Sequence, residues 1–139
     1  MKQSTFDIKE KRKRITVFKI GKLWVFQYFF GDKELFKELV DYYNRDSYRF
    51  KVKTIGERNK ALKLLELNGF DTDLIEDLSA YLVKLDKFKK YAPVLKNSLA
   101  HTETLKERIF VMKDLASVEE ALDFGAEVYE GEDPFSDRR

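Results

Sequence analysis

The sequence predicts an α+β fold, a mixed and mostly antiparallel sheet with helices packed on one face. Three observations predict it. Stretches whose side chains alternate with period two are interleaved with stretches whose apolar residues recur every three to four positions. The composition is 43% hydrophobic and 37% charged, enough apolar surface for a core and too much for a disordered chain. No apolar run approaches the ~18 residues that a transmembrane helix needs, and the longest, Leu23 to Phe30, is broken by Gln27. The length of 139 residues fits one domain, 1–139, with a basic arm over 1–13 and a frayed acidic tail over 131–139.

Arg14 to Phe30 opens the chain as a hairpin around Gly21-Lys22. Gly at the first turn position suits a two-residue type II′ turn, which pairs Ile20 with Leu23, Phe18 with Val25 and Lys19 with Trp24. Both faces of this hairpin are apolar, the mark of strands covered on both sides. Asp32 then caps a helix with apolar positions Leu35, Phe36, Leu39, Val40 and Tyr43.

Tyr48 to Thr54 shows the strictest alternation. Tyr48, Phe50, Val52 and Thr54 point one way, and Arg49, Lys51 and Lys53 form a basic row on the other, expected to face solvent. Thr54 and Glu57 make a capping box for a helix that ends at Asn68-Gly69. Phe70–Glu76 and Ser79–Leu85 read as strands. Asp86 starts a helical stretch that Pro93 restarts, and 97–107 reads as a polar loop. Arg108–Lys113 is a strand. Ser117 caps a short helix ended by Gly125, and Glu127–Tyr129 is a last strand parallel to Arg108–Lys113. Over residues 48–113 this is the βαββαβ order of a ferredoxin-like sheet, preceded by the hairpin and a helix.

The stretch Val52 to Leu85, with its Gly-terminated helix, resembles ACT domains in element order. That resemblance implies an amino-acid site where strand meets helix, at Thr54-Ile55-Gly56-Glu57-Arg58-Asn59.

Net charge is +2, but it is distributed unevenly: residues 1–31 hold eight Lys/Arg against two Asp/Glu, and residues 115–139 hold two against eight. Either the basic end meets an anionic partner or the two ends neutralise each other. The absence of cysteine removes disulfides and thiolate chemistry. High Lys and Glu with no cysteine match a thermophile's composition, and the polar N-terminus without a signal core points to the cytoplasm.

Three functional readings stay open, the last of them an enzyme using carboxylates or His101. In the first, the chain is a non-enzymatic module that binds itself or another protein through a sheet face, with a homodimer expected from a half-bare aromatic sheet. In the second, it binds nucleic acid through Lys11, Arg12, Lys13, Arg14, Lys19, Trp24, Arg49, Lys51 and Lys53, with cations on phosphates and Trp24 available for stacking. Gly56, Arg58 and Asn59 at a helix start suit a small anion. Ser98, His101 and Glu103 are the residue types of a nucleophilic triad, but no nucleophile elbow or oxyanion loop surrounds them, so no catalytic residue is assigned. Asp71 with Asp73, and Glu130 to Asp133, are carboxylate clusters without a calcium-loop pattern. No metal, no cofactor and no membrane partner is expected.

Overall fold

The computed structural model describes residues 12–135. The order is β1 (Lys13–Ile20), β2 (Leu23–Phe26), α1 (Lys33–Leu39), β3 (Tyr43–Asn44), β4 (Arg49–Val52), α2 (Ile55–Leu67), β5 (Phe70–Ile75), β6 (Leu82–Asp86), α3 (Ala92–Leu95), β7 (Ser98–Glu103), β8 (Glu107–Met112), α4 (Leu115–Phe124) and β9 (Glu127–Val128). The fold is α+β. All strand pairs are antiparallel except β1 with β5.

The strands form two sheets, ordered β3-β4-β2-β1-β5 and β7-β8-β6-β9. This corrects the ferredoxin-like order. β4 and β5 lie in the first sheet without pairing each other, and β6, β7 and β8 lie in the second. The ACT-like order fails for the same reason. β5 instead runs parallel to β1, with Lys13 opposite Phe70 and Phe18 opposite Ile75.

Side-chain alternation explains the stacking. Ile15, Val17, Trp24, Phe26, Phe50 and Val52 face α1 and α2, where they meet Leu35, Leu39, Ala61 and Leu65. The alternate residues Phe18, Ile20 and Val25 face the second sheet and pack on Leu82, Leu99, Ile109 and Val111. The far side of that sheet, with Val83, Leu85, Phe110 and Met112, is covered by Val94 of α3 and by Val118 and Ala121 of α4. The result is four layers, α/β/β/α. Helices therefore cover both outer faces of the molecule, not one face of a single sheet, and the half-bare sheet face expected to carry a homodimer does not occur among the described residues.

Local signals hold well. The hairpin register is as expected, with Gly21 at φ +63° and the following Lys22 outside the positive-φ region, as a type II′ turn requires. Asp32 accepts from the amides of Glu34 and Leu35, and Thr54 Oγ1 from Glu57. Gly69 and Gly125 end their helices at φ +93° and +122°.

Other expectations are corrected. Asp114, not Ser117, caps α4, since its carboxylate reaches the Ser117 amide at 2.8 Å. β9 runs parallel to β8 as expected, but it does not lie beside it: β6 sits between them and pairs antiparallel with both. Residues 98–103, expected as loop, form edge strand β7. Residues 131–135 are docked: Phe135 packs on the inter-sheet core, and Tyr129 Oη donates to the Glu132 carbonyl. Lys11 and the rest of the arm before Arg12, and the tail after Phe135, lie outside the described residues. No helix among the described residues is long and apolar enough to cross a membrane.

Candidate ligand-binding cleft

The two sheets do not close on each other everywhere. Antiparallel pairing sets Val25 beside Lys51 on the inward face of the first sheet. Opposite them, β7 brings Leu99 and Ala100, and the end of α3 brings Leu95 and Lys96. Between them lies a cleft of about 750 Å³, within the ~300–1,000 Å³ range typical of small-molecule sites.

Arg49 holds one wall of the cleft to the other. Only 7% exposed, it donates through Nε to the Ser98 carbonyl at 2.8 Å and through Nη2 to the same oxygen at 2.5 Å. Nη2 also reaches the Lys96 carbonyl, and Nη1 the carbonyls of Ser47 and Tyr48. Burial pushes its pKa below the ordinary arginine value, while the ring of carbonyl acceptors favours the charged form. The basic row of β4 is thereby corrected. Arg49 is a buried strut, Lys51 is half-buried at the cleft, and Lys53 alone is exposed. Alternation does put these side chains on one face, but a second sheet covers that face.

Polar groups gather at the mouth. Lys51, Lys96 and His101 line it with a single carboxylate, Asp46. Gln27 also lines the cleft, but its Oε1 atom is fully buried and accepts no hydrogen bond from the protein. His101 stacks on Phe110 at 5.8 Å between ring centroids. Its pKa is lowered, first by burial and then by the charge of Arg108, so its neutral form prevails at pH 7.

The other sequence-derived positions do not converge here. Arg12 Nε and Arg14 Nη1 each pair at 2.7 Å with a carboxylate of β5, Asp71 and Asp73 respectively. That ladder ties the two parallel strands together and occupies the carboxylate pair. Trp24 is 5% exposed, with the guanidinium of Arg58 over its ring at 4.6 Å, so no base reaches its face. Lys19 is half-buried beside it. Arg58 also donates to Asn59 Oδ1 at 2.9 Å, so the two satisfy each other beside an open Gly56. Ser98 Oγ donates to the Leu95 carbonyl, and Glu103 is paired with Lys87 and Arg108, so Ser98, His101 and Glu103 form no proton relay. Among the described residues no group of His, Asp and Glu is placed to hold a metal ion.

The sequence missed Gln27, Lys96 and the cleft itself. Only Arg49 and Lys51 signalled it, through their place on a strand whose other face is fully apolar. No protein-family model, curated protein or solved structure matches the chain.

Proposed function

We propose that this chain is a non-enzymatic binding module whose working surface is the cleft between the two sheets, and that its ligand is a small amphipathic anion. The observation that carries this reading is the composition of the cleft. Apolar walls from Val25, Leu95 and Leu99 end at a mouth where Lys51 and Lys96 face one acid, Asp46. An apolar body leaves water between the sheets, and its anionic head meets the two ammonium groups at the rim. The cleft replaces an exposed sheet face as the binding surface, since each sheet is covered on both sides. Arg49 supports the site by fixing its width rather than by contacting ligand, because its N–H groups are already spent on carbonyls.

The reading is tested by titrating the protein with the fluorescent anion 1-anilinonaphthalene-8-sulfonate and displacing it with decanoate. Saturable binding is expected, weakened about tenfold or more by Lys51→Glu with Lys96→Glu and unchanged by Lys63→Glu on the exposed side of α2. Equal affinity in all three proteins would reject the cleft as the site.

A further inference from the structure

A second concave surface lies on the helix-covered side of the first sheet, remote in character from the cleft. After β2 the chain continues as Tyr28-Phe29-Phe30 and turns into α1. This segment, Phe36 of α1 and Tyr43 of β3 enclose a hollow of about 460 Å³. Its base is rigid. Tyr28 and Phe30 lie 4.9 Å apart, and Phe36 and Tyr43 meet edge to face at 5.2 Å. Phe30 and Tyr43 both rest on the buried ring of Phe50, at 5.5 and 4.9 Å. Phe29 stands at the rim and is 91% exposed.

The charged residues that line it have one sign, although α1 also carries Glu34 and Glu38, with Asp41 beyond its end. Lys33 and Lys37 line the hollow and no carboxylate does. They are four residues apart on α1, a rise of ~6 Å along the helix axis. Asp32 is adjacent in sequence, but its carboxylate is turned to the amides of Glu34 and Leu35. On the neighbouring strands Lys13 pairs in register with Phe70, whose ring lies 5.1 Å from Tyr28 and 5.6 Å from Phe30. Lys13 is exposed and makes no ion pair among the described residues. Cations thus lie on two sides of a cluster of aromatic rings.

We infer that this aromatic hollow binds single-stranded nucleic acid, with a base stacked on Phe29 and its neighbours and phosphates held by Lys33, Lys37 and Lys13. Stacking tolerates any base because every base offers a π-face, and flexible lysines follow a backbone without reading sequence. A proline-rich peptide also fits aromatic grooves, but it would gain nothing from lysines unopposed by acid within the hollow. A duplex hides its base faces and leaves Phe29 without a partner. The inference is independent of the cleft and uses none of its residues.

The test is fluorescence anisotropy with labelled oligo(dT) and oligo(U) of ~10 nucleotides across a salt series. Expected is binding to both single strands and weaker binding to a duplex of equal length. Phe29→Ala should weaken binding at least about fivefold without changing the thermal unfolding of so exposed a side chain. Lys33→Ala with Lys37→Ala should lower the slope of log affinity against log salt by about 1.4. No binding at low salt, duplex binding as tight as single strand, or preference for a proline-rich peptide would overturn the inference. So would affinity that ignores Phe29→Ala. Lys51→Glu with Lys96→Glu, which should weaken anion binding in the cleft about tenfold or more, should leave the dependence of oligonucleotide binding on Phe29 unchanged.

Discussion

The Arg49 guanidinium leaves β4 of one sheet and donates to the carbonyl of Ser98, at the start of β7 in the other, at 2.8 Å. Among the described residues it is a polar link between two layers that otherwise meet through apolar packing. A strut of this kind is costly to remove, because the carbonyls it satisfies stay where they are and water reaches the Ser98 oxygen poorly. Arg49→Leu is expected to lower stability by about 2–4 kcal/mol, read as a shift in urea midpoint at unchanged slope. Arg49→Lys should not restore it, since one ammonium does not span the carbonyls that the planar fork reaches. A loss below about 0.5 kcal/mol would mean the two sheets do not depend on this residue.

Trp24 is the single tryptophan and is 5% exposed. Its emission is expected to be blue-shifted and insensitive to iodide in the folded protein, and to move to the red with urea. Arg58→Ala should cost about 0.5–1 kcal/mol through the lost cation–π contact and leave the emission shielded. Iodide quenching of the native protein would contradict the buried placement of the indole.

The pairs Arg12–Asp71 and Arg14–Asp73 are half-exposed, so each contributes about 0–1 kcal/mol at most. Asp71→Asn with Asp73→Asn is therefore expected to change stability little, and less still in high salt. The same double substitution leaves two guanidiniums without a carboxylate partner, although Arg12 keeps its bonds to the Glu66 and Phe70 carbonyls, so retention on heparin should rise. Unchanged retention would show that these arginines are not held by β5.

His101 is the only histidine, so its titration is isolated. Its folded pKa lies below the ordinary 6.5, through burial and then Arg108. The folded state therefore binds protons less readily than the unfolded state. The stability tied to this group is complete above 6.5 and is lost as pH falls from there through the folded value, remaining lost below it. Imidazole proton shifts in an NMR titration should place the pKa under 6.5, and Arg108→Gln should move it part of the way back. A midpoint at or above 6.5 would contradict the packing of His101 on Phe110.

What could be read from sequence was local. The Gly21-Lys22 register, the Asp32 and Thr54 caps, and the glycines at 69 and 125 each follow from a few neighbouring residues, and each is in place. Alternation also divided the hairpin and β4 correctly into two faces. It does not say what covers a face, which is why Arg49 and Lys51 read as solvent-exposed when a second sheet lies across them. The division into two sheets depends on β1 meeting β5 across more than fifty residues of chain, a pairing no short window encodes. β7 was hidden because, as an edge strand, it buries Ser98 and Leu99 while His101 and Glu103 keep part of their surface in water, the composition of a loop. Asp114 takes the cap because the helix starts at Leu115, ahead of Ser117, whose own amide donates to the Asp114 carboxylate.

The most direct measurement of the cleft as binding surface is a two-dimensional amide NMR titration with decanoate. Shifts confined to Val25, Lys51, Leu95 to Ala100 and their neighbours, and lost in Lys51→Glu with Lys96→Glu, are the expected result. Shifts centred elsewhere, or none at saturating decanoate, would contradict it.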